Sequence, residues 1–403
     1  MADKLTSKRI TAVRDAQSGF WNFLTHADSA KRRKQPGALD FSLGNPHEMP
    51  PKGYVETLKK WTEPQHPRWF NYVTNDPGAQ AAVAAALRAW RGIPFEPADI
   101  AMTTGAFGAI AAALHALVDP GQEVIFSLPP WFNYESMIVA VGGVPVKVRV
   151  DPASFDLDLG AIAAAITPRT RMVIVNTPNN PTGKIYPPET LQGLADLLTR
   201  ASAEHGRPIY ILSDEPYSRL VFDGKPLHSP TAYYPNTLLA YSYGKTLLTP
   251  GERIGYLALA PSMPEREVMR ESITLAQIVC GFAFPNAILQ YAIGDLETLS
   301  IDLDHLQRKR DRLLEGLRAA GYDVHRPEGT FFLLPKSPIE DDRRFCELLA
   351  EDDVFVLPGS ICEIPGYFRI AFTATDEMIE RALPKFAAAM ARVTNRPGAA
   401  RPG

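Results

Sequence analysis

Between residues 106 and 260, short apolar runs bounded by turn residues alternate with longer helical stretches, and this alternation limits the possible folds more than any other feature of the chain. "AFGAIAAALHALV" (Ala106–Val118) has the Ala content and spacing of a helix; "DPG" then turns the chain, and "EVIFS" (Glu123–Ser127) reads as a buried strand. "RMVIVN" (Arg171–Asn176), "PIYILSD" (Pro208–Asp214), "TLLAYS" (Thr237–Ser242) and "IGYLALA" (Ile254–Ala260) are further runs of this kind, and the helical "PETLQGLADLLTRASAEH" (Pro188–His205) separates two of them. Apolar strands interleaved with helices predict an α/β fold whose mostly parallel sheet carries helices on both faces. After Glu297 a long helical stretch leads into "GYDVHRPEGTFFLLPK" and "YFRIAFTATDEMIERALPKF", which predict a smaller α+β domain.

A chain of 403 residues is long enough for a large and a small domain, and 45% hydrophobic with 22% charged residues excludes disorder as its main state. The net charge is −3, and the only basic cluster, "KRRK" (Lys31–Lys34), is expected to be a solvated loop and not a nucleic-acid patch. Cys280, Cys346 and Cys362 form neither metal spacing nor a disulfide framework, which points to a reducing compartment. The N-terminus "MADKLTSKRITAV" is charged without an apolar signal core, and no segment is long enough to cross a bilayer. The expectation is a cytoplasmic protein with no metal, nucleic-acid or membrane partner. The tail "TNRPGAARPG" is expected to be disordered, from about residue 396 to 403.

Open parallel sheets collect ligands at the carboxyl ends of their strands. Asp214 ends "PIYILSD", Asn180 follows "RMVIVN" in "TPNNPTG", Ser242 and Lys245 follow "TLLAYS", and "TTGAFG" precedes the Ala-rich helix. Ser, Lys and Arg beside the N–H groups of a helix start suit a phosphate. A carboxylate without a local cation suits a buried cationic partner. A partly desolvated lysine can serve as an amine nucleophile towards a carbonyl. Pyridoxal 5′-phosphate offers the phosphate, the protonated ring nitrogen and the aldehyde together, and a lysine Schiff base with an Asp on the ring nitrogen is its recognised pattern. A P-loop is excluded, because the glycine it requires five residues before Gly244 is Leu239.

At these residues the chain resembles the fold-type I, class I/II aminotransferase family over nearly its whole length. "LGNP" (Leu43–Pro46), "TTGAFGAI", "PPWFNYESMIVAVGG", "NTPNNPTG", "SDEPYSRLVFDG", "SYGKTLLTPGERIGY" and "FRIAFT" resemble that family's blocks and stand in its order, with Lys245 and Arg253 eight residues apart. The resemblance implies a seven-stranded sheet in a cofactor-binding domain over residues 51–295. A small domain would be built from residues 1–50 and 296–395.

The resemblance also implies roles. Lys245 carries the cofactor as a Schiff base and then shuttles a proton. Asp214 keeps the ring nitrogen protonated, and Tyr217 and Asn180 hydrogen-bond the ring's phenolic oxygen. Trp131 stacks on the ring, although a core aromatic is the other reading and Phe132 is its neighbour. Arg253, Ser242 and the backbone N–H groups at Gly105, Ala106 and Phe107 bind the phosphate; Gly244 stands where the family commonly has Ser. Arg369 grips the substrate α-carboxylate, helped by Asn180 and the backbone of Gly44. Tyr72 is either a core tyrosine or a phosphate ligand for the neighbouring subunit, and the second reading requires a homodimer.

The expected reaction is ping-pong transamination between an amino acid and a 2-oxo acid. A C–S lyase or a cyclopropane-forming synthase would share the same cofactor residues, so both stay open. A cofactor-binding regulator would need a DNA-binding domain, and the residues before Phe41 hold no helix-turn-helix pattern. "TLAQIVCGFAFPNAILQYAIGDLETL" contains no Arg or Lys, and its Phe282 and Phe284 tilt the expectation towards neutral or hydrophobic substrates. Arg68, Arg91 or the Lys31–Lys34 run leave aspartate open.

Overall fold

A computed structural model describes residues 5–25 and 29–394, so the tail expected to be disordered lies outside the described residues. Twelve strands are labelled in chain order. Seven form the main sheet: β2 (Ile100–Thr103), β3 (Glu123–Leu128), β4 (Val144–Arg149), β5 (Thr170–Asn176), β6 (Tyr210–Asp214), β7 (Thr237–Ser242) and β8 (Gly255–Leu259). Their spatial order is β2-β8-β7-β6-β5-β3-β4, and only β8 runs against the others. This is the α/β fold expected, and the apolar runs lie on strands to within two residues at each end. Two strands were not foreseen. β2 has only four residues, and β4 is an edge strand whose side chains are largely exposed, so neither carries a continuous apolar run.

Strand parity builds the two faces. Val124, Phe126, Met172, Ile174 and Leu212 point one way, onto Ala109, Ile110 and Ala113 of the helix Gly105–Leu117. Ile125, Val173, Val175 and Ile211 point the other way, onto Leu191, Leu194 and Leu198 of the helix Pro188–Glu204. Small residues let the first helix lie close to the sheet. Where it begins, Gly105 (φ +74°) meets Gly255 so tightly that a Cβ on Gly255 would stand 2.2 Å from the Tyr241 carbonyl oxygen and 2.8 Å from the Gly105 Cα.

The remaining strands are short. β1 (Leu39–Asp40) pairs with β10 (Val354–Phe355), while β9 (Phe332–Leu333), β11 (Leu357–Pro358) and β12 (Phe368–Ala371) form an antiparallel sheet. Their core joins Leu39 and Phe41 to Leu313, Phe345, Ile370 and Phe386, and it also takes in Tyr217, Leu220 and Phe222 from the segment after β6. The two halves of the molecule are therefore knitted together beside the strand ends.

In the "KRRK" run Lys31, Arg32 and Lys34 are exposed as expected, although Lys31 and Arg32 close a short helix; Arg33 departs from the expectation, being half buried, 4.5 Å from the Phe23 ring, and donating to Ser42 Oγ and the Phe23 carbonyl. Among the described residues no helix is long and apolar enough to cross a membrane.

Gly255→Ala should destabilise the fold by about 3 kcal/mol, because the added methyl meets backbone on two sides and neither can yield cheaply. A urea-unfolding midpoint equal to that of the parent protein would refute this packing.

Candidate active site

Parallel register brings Asn176 on β5 level with Asp214 on β6, while β7 ends at Ser242 opposite Gly255. The short helix Tyr243–Thr246 that follows carries Lys245 over the same strand ends. There the chain encloses a cavity of about 320 Å³. Asp214, Tyr217, Ser242, Lys245, Arg253, Ala106, Phe107, Trp131 and Asn180 all border it. Gly105, next to Ala106, completes the helix start.

Asp214 is buried, with two oxygens in unlike situations. Oδ2 accepts from the Tyr134 hydroxyl and, at 3.3 Å, from Asn176 Nδ2, whereas Oδ1 is buried without a partner. Burial raises this carboxyl to about 7, partly opposed by the Tyr134 bond; neighbouring Glu215 raises it further, and Lys245 lowers it. A displacement of that size corresponds to about 4 kcal/mol, and a cation placed at Oδ1 would recover much of it.

Lys245 has the opposite displacement. Burial, then the charges of Arg253 and Arg369, lower its ammonium to about 8 against the pull of Asp214. Its Nζ lies 5.6 Å from the ring centres of both Tyr217 and Phe331. About a tenth is therefore uncharged amine at pH 7, far more than for an ordinary lysine, as a nucleophile or proton carrier needs.

The third corner is built for an anion. Thr104, which caps the helix Gly105–Leu117, makes no side-chain bond to it, so its first N–H groups stay available. Arg253 reaches across them, held by the Pro250 and Thr104 carbonyls. A Cβ on Gly105 would stand 2.7 Å from Arg253 Nη2 and 3.4 Å from Ser242 Oγ, so glycine keeps this cradle open.

Arg369, on β12, is 2% exposed and has no carboxylate at ion-pair distance among the described residues. Nη1 donates to Asn180 Oδ1 at 2.9 Å and Nη2 to the Ser42 carbonyl at 2.8 Å. Its guanidinium lies 4.1 Å from the Phe332 ring, and Nε is buried without a partner. Burial pushes this guanidinium below its ordinary value. An anion is the missing partner. Gly44 (φ +68°) packs so closely that a Cβ would meet Phe331 at 2.8 Å, while Ser42 supplies the backbone carbonyl that holds Arg369.

Trp131 is partly buried at the cavity wall, edge-on to Phe107 at 4.6 Å and to Tyr134 at 5.4 Å. Tyr72 lies elsewhere. It is 87% exposed beside Phe284, away from this chain's own cavity, which removes the reading as a core tyrosine.

Three residues escaped the sequence reading. Tyr134 stands three positions after Trp131, Asn176 ends the strand next to Asp214, and Ser42 lies two before Gly44. The strand-end position of Asn176, equivalent to that of Asp214, was the available signal; Tyr134 and Ser42 act only through tertiary contacts.

The residues fit a ligand with a phosphate at one end, a protonated ring nitrogen at the other, and a carbonyl between. Around Lys245 they leave two guanidiniums without carboxylate partners and one acid with a free oxygen. Such a cavity belongs to an enzyme that handles amino and carbonyl groups on anionic ligands.

Comparison with known proteins narrows that class. The family model for aminotransferase class I and II matches residues 36–386, and the chain belongs to this family. It is 34% identical over 327 residues to the aspartate/prephenate aminotransferase of Thermus thermophilus, covering 78% of this chain and 82% of that protein. With the aspartate aminotransferase of Rhizobium meliloti it shares 30% identity over 349 residues, 81% of this chain and 82% of the relative. The crystal structure of an aminotransferase from Eubacterium rectale superposes with a TM-score of 0.85 at 32% identity and covers 96% of both chains. The protein is an aminotransferase.

In protein freed of any carbonyl ligand, acylation of Lys245 followed by peptide mass spectrometry should be half-maximal near pH 8, where the amine loses its proton. A midpoint near the ordinary lysine value of 10.5 would show that burial and the two arginines do not act on it.

Proposed function

We propose that this cavity holds pyridoxal 5′-phosphate and that the enzyme moves an amino group from an amino acid to a 2-oxo acid in two half-reactions. The observation that carries the reading is the unpartnered Oδ1 of Asp214 in the same cavity as the lowered amine of Lys245 and the Gly105–Arg253 cradle. Bound there, the cofactor would supply a carbonyl for the amino group and an electron-withdrawing ring to stabilise charge at the substrate Cα.

The chain's own groups have separate tasks. Asp214 holds a proton at the ring nitrogen, and Tyr134 and Asn176 hold Asp214. Ser242, Arg253 and the N–H groups of Ala106 and Phe107 bind the phosphate. Tyr217 and Asn180 hydrogen-bond the ring oxygen, and Trp131 covers one ring face. Arg369 pairs with the substrate α-carboxylate, and Ser42 and Asn180 hold its guanidinium in place. Lys245 would take the proton from the substrate Cα and deliver it to the cofactor's former carbonyl carbon on the other side of the nitrogen.

The clusters on the two faces of the main sheet, and the separate one around Phe345 and Phe386, support a large domain over residues 51–295 and a small one from residues 1–50 and 296–395, with Tyr217, Leu220 and Phe222 of the large part packing into the latter cluster. The exposed Tyr72 and Phe284, beside Phe70 and Phe282, support a homodimer in which Tyr72 reaches the neighbouring phosphate. Three free cysteines support a cytoplasmic location.

Lys245→Ala should lower turnover by several orders of magnitude, on the scale of losing the group that moves the proton. With an amino acid and no 2-oxo acid, the parent enzyme should form one equivalent of 2-oxo acid and stop. Continuous ammonia release would instead identify a lyase, and unaltered activity in the variant would refute the role of Lys245.

A further inference from the structure

We propose that Arg33 is a positioning residue for the substrate α-carboxylate: it fixes Ser42 and, through Ser42, the guanidinium of Arg369. Its loss weakens carboxylate binding and leaves cofactor binding intact. The inference rests on the reading of Arg369 as the α-carboxylate ligand.

Ser42 is wholly buried, and each of its polar groups is engaged. Its N–H donates to Asp40 Oδ1 at 2.9 Å, and its hydroxyl donates to the same oxygen. That hydroxyl also accepts from Arg33 Nη1 at 3.1 Å, while the carbonyl accepts from Arg369 Nη2 at 2.8 Å. Two guanidiniums thus meet on one serine. Strand pairing fixes the residue before it, since Phe41 donates to the Phe355 carbonyl and accepts from the Ala371 N–H. Ser42 turns back to Asp40 and leaves that ladder, so Asp40 and Arg33 hold it with its carbonyl towards Arg369.

The rest of the Arg33 fork reaches the N-terminal helix Ser18–Thr25. Nη2 donates at 3.3 Å to the carbonyl of Phe23, in the last turn, where helix carbonyls lack partners within the helix. The guanidinium lies 4.5 Å from the Phe23 ring. From the same helix Phe20 stacks on Phe132 at 3.8 Å, and the Phe132 ring centre is 6.0 Å from the Arg369 guanidinium. The contacts close a circuit from Arg369 through Ser42, Arg33, the helix and Phe132 back to Arg369. Arg33 joins its two halves. It is not among the residues that border the main cavity, so it acts on the substrate only through these neighbours.

Arginine suits this place better than lysine. Its planar fork donates in two directions while one face lies near a ring, which a single ammonium cannot reproduce.

The test compares the parent holoenzyme with Arg33→Met, Arg33→Lys, Ser42→Ala and Arg369→Lys. Kinetics use whichever of L-phenylalanine, L-leucine, L-alanine and L-aspartate gives the highest kcat/KM in the parent. Equilibrium binding of the matching deaminated acid (hydrocinnamate, isocaproate, propionate or succinate) reads carboxylate affinity without turnover. Pyridoxal 5′-phosphate affinity is measured on the apoprotein. Arg33→Met should raise KM and the acid's Kd by about tenfold, with kcat changed by less than about threefold. Its cofactor affinity should match that of the parent. Arg33→Lys should recover part of the loss. Ser42→Ala, which keeps the carbonyl and removes only the hydroxyl, should raise KM in the same direction. In an Arg369→Lys background Arg33→Met should add little, because its effect passes through Arg369. If Arg369→Lys weakens acid binding while Arg33→Met and Ser42→Ala do not, the proposal is overturned and the carboxylate assignment stands. Equal loss of acid and cofactor affinity in Arg33→Met marks a general structural role and overturns it too. If Arg369→Lys leaves acid binding unchanged, the assignment itself falls and the proposal with it. Should Arg33→Met fail to fold, Ser42→Ala and Arg33→Lys decide between the same outcomes.

Discussion

A carboxylate at the end of a buried strand, satisfied at one oxygen and bare at the other, sets the terms for the rest of this molecule. Asp214 has no surface to retreat to, because the strands on both sides of it are buried. Tyr134 and Asn176 secure one oxygen and hold the group in place, yet they do not neutralise it. The unpartnered Oδ1 makes the cavity a place where a bound cation is stabilised, while Lys245, itself desolvated, is driven towards the uncharged amine. Acid and amine therefore have displaced protonation equilibria for one shared reason, their removal from water.

The surrounding cations complete the balance. Arg253 and Arg369 lie at different parts of the site, each held by carbonyl oxygens and neither by a carboxylate. In a globular protein an unpaired buried guanidinium such as Arg369 is costly unless a ligand supplies the anion. Arg253 is solvent-exposed and keeps its charge beside the helix start, so the site presents two cations that suit a phosphate and a substrate carboxylate bound together. The glycines serve this arrangement through space alone. Gly105 leaves room for Arg253, and Gly255 lets the helix start come down onto the sheet.

The groups around the cavity come from different parts of the chain. Asp214 ends β6 and Lys245 stands on the short helix that follows β7, and parallel pairing of the two strands sets where each begins. Arg369 stands on β12 and is bound to Ser42 from the N-terminal part, so the α-carboxylate site forms only when distant segments pack together. The helix Ser18–Thr25 stacks Phe20 on Phe132, a peripheral contact that can vary without disturbing the sheet.

The central sheet was readable because β5 to β8 are fully or almost fully buried, and a strand buried on both faces must be apolar along its length. Asp214, Asn180 and Lys245 stood out because polar residues at the ends of such strands have few structural reasons to be there, whereas Arg253 and Arg369 were pointed to by the resemblance of their segments to family blocks. β4 was not, since an exposed edge strand carries no such pattern, and Arg33 was misjudged because a basic run says nothing about which member packs against Phe23. Tyr134 on Asp214, Ser42 on Arg369 and Phe20 on Phe132 join residues separated by 80, 327 and 112 positions, respectively. Local composition carries hydrophobic periodicity and the chemical type of each side chain, and it was enough to indicate the layered sheet and to single out candidate polar groups at its strand ends. Which oxygen of Asp214 stays free, what holds Arg369 and what shape the substrate meets depend on contacts between remote segments, and those come into being only when the chain packs.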